Sequence, residues 1–180
     1  MSQLLTQKVA RAPLHLIIES QSDLPVVEMV LAALRERGID PPLHVLSCYR
    51  DLESLSIFAR EFQGKAVICI GGGIFALPGI LDGLWLDFCT HVEVWGLPTG
   101  DSPFQRELAV SAMRFPPPPC HVLCQHDHNE ACISQMVEEV VAYIRGEKIP
   151  EGASEEEWQE RVKLQHSRRA VINWKPGKEG

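Results

Sequence analysis

The residues best suited to chemistry gather in a few short stretches. In "LHLIIESQSDLPVVEMV", Leu14 to Val30, an apolar run breaks into Glu19-Ser20-Gln21-Ser22-Asp23, then a proline, then a helix-like pattern. Hydroxyls beside the free N–H groups of a helix start form an anion site, which makes Ser20 and Ser22 candidate ligand contacts. Asp23 and Pro25 also read as the cap and first turn of that helix. "SCYRD", Ser47 to Asp51, supplies Arg50, whose guanidinium fork suits phosphate, and Asp51, which reads as the cap of the next helix. Cys48 reads as a small buried filler; as a nucleophile it needs a thiolate-stabilising neighbour such as Arg50. Gly71-Gly72-Gly73 either lets the backbone approach a ligand or makes a tight turn. His126 and His128, flanking Asp127, are weak candidates for a proton carrier, with solvated loop histidines as the alternative. Cys120, Cys124, His126 and His128 give C-x3-C-x-H-x-H, a spacing partly within a strand. A zinc site normally uses separated ligand pairs in turns, so no metal and no cofactor is expected.

The elements that must position these groups alternate. Five short apolar runs read as strands: Leu14 to Ile18, Leu43 to Ser47, Ala66 to Ile70, His91 to Trp95 and Cys120 to Cys124. Several are apolar almost throughout, as strands covered on both faces are. Helical patterns lie between them at Pro25 to Arg37, Asp51 to Phe62, Ala76 to Gly83, Pro103 to Met113 and Asn129 to Tyr143. This order predicts an α/β fold: a three-layer, doubly wound, parallel five-stranded sheet of flavodoxin-like kind. Ligands of such sheets bind beyond the carboxyl ends of the strands. Each end here carries Gly or polar side chains: "ESQSD", "SCYRD", "GGG", "GLPTGDS" and "QHDHN".

The domain reading is an α/β unit over residues 1–145 and a C-terminal helical extension over 146–180. The extension breaks at Pro150, and Ser154 with Glu157 fits a capping box. It reads as a helix packed on this subunit or a neighbour, with Arg168, Arg169 and Trp174 available to a partner's site. "PPPP", Pro116 to Pro119, reads as a stiff loop.

The chain has 180 residues, 45% of them hydrophobic, and a net charge of −7. That length allows one domain with a real core. The negative charge disfavours a nucleic-acid surface. No run approaches the roughly 20 apolar residues of a membrane span, and "MSQLLTQKVARAP" has no long apolar stretch of the signal-peptide kind. The six cysteines sit mostly in apolar runs, which predicts reduced thiols in a cytoplasmic protein.

"QSDLPVV", "SCYRDLESLSIFARE", "ICIGGGIFALPGIL", "VEVWGLPT" and "NEACISQM", in this order and spacing, resemble the AIR carboxylase family, the PurE-type carboxyaminoimidazole ribonucleotide mutases of purine biosynthesis. The resemblance covers roughly Leu14 to Tyr143. It implies a phosphoribosyl aminoimidazole ligand, with Ser20, Ser22 and Asp23 matching the family's Ser-x-Ser-Asp loop. Ser47 and Arg50 match its Ser-Ala-His-Arg loop, and these groups would hold phosphate and ribose. Gly72 and Gly73, with Leu77 and Pro78, would border the base. It also implies a homo-octamer with sites built between subunits.

Three positions depart from the pattern. Tyr49 and Ala76 stand where the family has histidines, and Glu19 stands where its first loop opens on glycine. The mutase moves a carboxylate from nitrogen to a ring carbon, so a proton must move at that carbon. Histidine does this near neutrality; tyrosine does it poorly and alanine cannot. Three readings follow: a mutase working with unusual residues, an enzyme of the same fold on another phosphorylated ribose, or a catalytically silent nucleotide-binding or assembly protein. For the second, the turn Ala76-Leu77-Pro78 is similar to that of the pyridine-nucleotide carboxylases of nickel-pincer cofactor synthesis.

Overall fold

The structure, a computed structural model, describes residues 12–100, 102–113, 121–122, 130–150 and 154–167. The strands are β1 (Leu14–Ile18), β2 (Leu43–Val45), β3 (Ala66–Gly72), β4 (Glu93–Thr99) and a two-residue β5 (His121–Val122). The helices are α1 (Leu24–Arg35), α2 (Leu52–Glu61), α3 (Leu77–Asp87), α4 (Pro103–Met113), α5 (Glu130–Ile144) and α6 (Glu155–Ser167). All strand pairs are parallel, in the order β2-β1-β3-β4-β5. The expected doubly wound sheet is therefore present, and its order reverses between β1 and β3.

Strand periodicity of two explains the layers. Leu14, Leu16 and Ile18 of β1, with Ala66, Ile68 and Ile70 of β3, face one core, which α1 and α5 close with Val27, Val30, Leu34, Met136 and Val140. Ile17, Val67 and Cys69 face the other, closed by Leu55 of α2, Leu81 and Trp85 of α3 and Met113 of α4. His15 points to the second face and stacks on His44, 5.1 Å between centroids, against Phe58 and Phe62. Burial and the neighbouring His44 push His15 down to about 4.

Two strands run further than their apolar stretches. β3 continues through Gly71 and Gly72, which pair with Pro98 and Thr99 of β4. A cross-strand partner outweighs low strand propensity there. β4 starts at Glu93 rather than His91, and β2 ends at Val45 rather than Ser47. α3 passes through Gly83 to Asp87 because its buried face, Leu81, Trp85 and Leu86, extends beyond the glycine. Gly38, at φ +78°, does end the first helical stretch as expected.

The cysteine expectation is corrected at one position. Cys48, Cys69 and Cys89 are free thiols, but Cys132 is disulfide-bonded. Cys120 and Cys124, like Pro116 to Pro119, lie outside the described residues. Among the described residues no helix is long and apolar enough to cross a membrane.

The C-terminal helix packs on this subunit. Ser154 and Glu157 form the expected capping box: each backbone N–H donates to the other's side chain at 3.3 Å. α6 then lies along α3, with Arg161 paired to Asp82 and Gln165 donating to Asp87 at 3.2 Å. Trp158 stacks on His91, and that imidazole reaches Glu93 at 2.9 Å and Glu155 at 3.5 Å. The Glu93 hydrogen bond, with help from Glu155, holds His91 protonated above its usual pH. Stability from this group is therefore complete below the unfolded value of about 6.5 and is lost as pH rises through the raised one. The stability gap between wild type and His91→Asn, from urea melts, is expected to be larger at about pH 5.5 than at about pH 9. A gap independent of pH contradicts this account of the α6 anchor.

Candidate functional site

The reversal of strand order opens a cleft of about 380 Å³ at the carboxyl ends of β1, β3 and β4. Its β1 side is Glu19, Ser20, Ser22 and Asp23; Gly72 and Gly73 form its floor; Thr99, Gly100 and Gln105 close the far side. Most of the sequence-predicted ligand contacts thus meet in one place, with the burden on the loop after β1.

That loop is a 3-10 turn, Gln21–Asp23. Ser20 caps it: its Oγ accepts the Ser22 N–H at 3.3 Å and the Ser22 hydroxyl at 3.0 Å. Both hydroxyls are held together at the cleft edge; the Ser22 proton goes to Ser20, whose own O–H is left to donate to an oxyanion. Asp23 does not cap α1 with its side chain. It turns inward, 7% exposed, and accepts the Thr99 hydroxyl at 2.8 Å. The carboxylate bridges the ends of β1 and β4 across the cleft. Burial pushes its pKa up, partly offset by hydrogen bonds from Thr99 and the Ser20 backbone.

The loop after β2 is built differently from expectation. Asp51 caps no N–H of its own helix; its carboxylate accepts the Ser47 N–H at 3.0 Å. Ser47 is buried, its Oγ accepts the Tyr49 N–H at 3.4 Å, and it does not line the cleft. Arg50 donates to the carbonyl of Glu19 at 2.9 Å. It stands next to the serine loop but does not line the cleft, and its other N–H groups are left for an anion. Tyr49 is 63% exposed and donates its hydroxyl to the carbonyl of Ile74 at 3.0 Å, tying the second loop to the third.

Gly72 is required as glycine. A Cβ there would stand 2.7 Å from the Thr99 carbonyl oxygen, which is backbone and cannot yield. Gly73 has φ +65°, the left-handed region that glycine enters without strain. Leu77 and Pro78 are buried in the start of α3, and neither lines the cleft. His126 and His128 lie outside the described residues. Among those described, no group of three or more His, Cys, Asp and Glu is gathered as for a metal ion.

Cys48 is no nucleophile. It is 4% exposed, and its sulfur lies 2.9 Å from Glu19 Oε1. Burial and the adjacent carboxylate push the thiol up to about 12. It stays S–H and donates to Glu19, which also accepts the Cys48 N–H at 3.4 Å. Burial raises the Glu19 pKa in turn; the Cys48 bonds and Arg50 oppose this and Asp23 adds to it.

A model of the AIR carboxylase family matches residues 14–136. The chain belongs to the AIR carboxylase family. The N5-carboxyaminoimidazole ribonucleotide mutase of Pyrococcus abyssi is 36% identical over 94 residues, 51% of this chain and 51% of that protein. The mutase of Thermotoga maritima is 34% identical over 90 residues, 48% of this chain and 50% of that protein. The match thus spans about half the length of these curated relatives. Treponema denticola PurE superposes with a TM-score of 0.58 at 17% identity, over 86% of this chain and 89% of that one. That likeness shows the fold alone.

Proposed function

We propose that this chain is a divergent purine-biosynthesis protein of the AIR carboxylase family that binds a phosphoribosyl nucleotide of the aminoimidazole type. One observation carries the reading. The hydroxyls of Ser20 and Ser22 line the strand-reversal cleft, and the Arg50 guanidinium, outside that lining, is held next to the loop on the Glu19 carbonyl. Hydroxyl and guanidinium donors suit a phosphate group, and Asp23, on the β1 wall, suits the ribose hydroxyls. The glycine floor leaves room for a flat base. The mutase relatives bear the name of such a nucleotide.

A catalytically silent binding protein is the second reading. Tyr49 has committed its hydroxyl to Ile74, and Ala76 has no titratable group. Tyr49 and Ile74, joined and both largely exposed, also present an apolar surface suited to assembly with further copies of the chain.

Binding is expected to appear as a thermal shift. At a ligand concentration 100 times Kd the stabilisation is about 2.7 kcal/mol, or roughly 5–10 °C for a chain of this size. 5-Aminoimidazole ribonucleotide should give this shift, and its riboside, without phosphate, should not. Arg50→Ala removes a charge-assisted contact and should weaken binding about 10- to 100-fold. Equal shifts from nucleotide and riboside would remove the phosphate site from the account.

A further inference from the structure

We propose that Glu19 is the acid–base group of this cleft, standing in for the histidines that the AIR carboxylase pattern has at Tyr49 and Ala76. The proposal rests on the binding reading above. Its geometry uses the Glu19 carboxyl, whereas Arg50, the phosphate contact, is bonded to the Glu19 backbone carbonyl. Glu19 lines the cleft just after β1, and its Oε2 lies over Gly71, 3.3 Å from where a Cβ on that residue would stand. Oε1 is taken by Cys48, whose S–H and N–H both donate to it. Among the described residues Oε2 has no hydrogen-bond partner, which leaves it for a ligand.

The side chain also stands close in the fold to the loop that carries Tyr49. Cys48 is the neighbour of Tyr49 in the second loop, and the Ala76 N–H donates to the Ile74 carbonyl, which also accepts the Tyr49 hydroxyl. Glu19 therefore meets the second loop at Cys48, the residue that precedes Tyr49. Where the first loop of the family opens on glycine, the added side chain fills the gap between these loops. Burial and Asp23 also bias the carboxyl toward holding a proton at higher pH than an exposed glutamate, as a general acid–base group requires. Cys48 is a positioning residue: its thiol stays protonated, so it remains a donor and fixes the carboxyl rotamer.

The reaction assigned to Glu19 is proton exchange at C4 of an aminoimidazole ribonucleotide, the C–H ring carbon bonded to the amino-bearing carbon. The ring is an enamine. Its electron pair forms a new bond from that carbon to the Glu19 proton, while the O–H bond of the acid breaks. The carboxylate left behind then removes the proton originally on the carbon, and the released C–H pair restores the aromatic ring. No oxidant or further reactant is needed.

The test is deuterium uptake at that carbon, followed by proton NMR of 5-aminoimidazole ribonucleotide in D2O, with binding read separately by thermal shift. Wild type should accelerate exchange at least about 100-fold over free nucleotide, and Glu19→Gln should return it to background while still binding. Cys48→Ala removes a donor that favours the carboxylate. It should move the pH limb of exchange upward without abolishing exchange. Failure of wild type to bind the nucleotide overturns the binding reading and this one with it. Binding without exchange, or exchange surviving in Glu19→Gln, overturns the role of Glu19 alone. If Glu19→Gln loses its fold or its binding, the Cys48→Ala profile decides, and an unmoved limb overturns the proposal.

Discussion

Trp85→Ala should lower the melting temperature by roughly 10–20 °C. Trp85 is 1% exposed and lies in the core between α2 and α3, 5.2 Å from the Phe62 ring. Truncating a large buried aromatic costs about 3–5 kcal/mol in lost burial and cavity formation. Its Nε1 also donates to the buried Ala59 carbonyl at 2.9 Å. Removing that donor strands an acceptor, at a further cost of about 1 kcal/mol or more. Against a typical total of about 5–15 kcal/mol this is a large fraction. Trp85→Phe keeps most of the ring and loses the N–H, so it should fall between wild type and Trp85→Ala. Chemical denaturation measures all three. A Trp85→Ala loss below about 1 kcal/mol contradicts the packing described for this face of the sheet.

The second large effect belongs to Asp23. Asp23→Ala should weaken nucleotide binding at least about tenfold and cost about 1–3 kcal/mol of stability. Its carboxylate accepts the Thr99 hydroxyl across the cleft, and both residues are 7% exposed. Alanine leaves the Thr99 hydroxyl buried without that acceptor and removes the brace between the ends of β1 and β4. Asp23→Asn keeps an acceptor oxygen and should lose less stability than alanine. Thr99→Val separates the two roles. It cuts the brace but leaves the carboxylate in the cleft, so its binding defect should be smaller than that of Asp23→Ala. Calorimetric titration of the three variants checks the order. Equal binding defects would place the importance of Asp23 in the brace alone.

Much of the fold was legible because apolar strands and amphipathic helices write themselves locally. Val27, Val30 and Leu34 recur at helical spacing and do form the inner face of α1. The alternation of strand and helix gave the sheet order class, and from it the edge where ligands bind. What could not be read was decided by partners distant in sequence. Gly71 and Gly72 look like a loop until Pro98 and Thr99 pair with them. Asp23 looks like a helix cap because Thr99, which claims its side chain, lies 76 residues away. Asp51 likewise turns back to Ser47 rather than forward into its helix.

The site was legible in outline and misread in detail for the same reason. Ser20, Ser22, Gly72 and Gly73 reach the cleft as their positions after strand ends imply. Ser47, in an equally suitable position, is buried within its own loop and does not line the cleft. Thr99 and Gln105 gave only the weak signal of polar residues following a strand. Glu19 did carry a signal, a charged side chain where the family opens its loop on glycine. Its use became visible only when Cys48 was found beneath it, 29 residues further on.

The position of the bound phosphate is decisive. A crystal structure with 5-aminoimidazole ribonucleotide should place the phosphate between the hydroxyls of Ser20 and Ser22 and the Arg50 guanidinium, with the base over Gly72. A phosphate elsewhere, or a cleft that stays empty while the nucleotide binds at another surface, would contradict this placement.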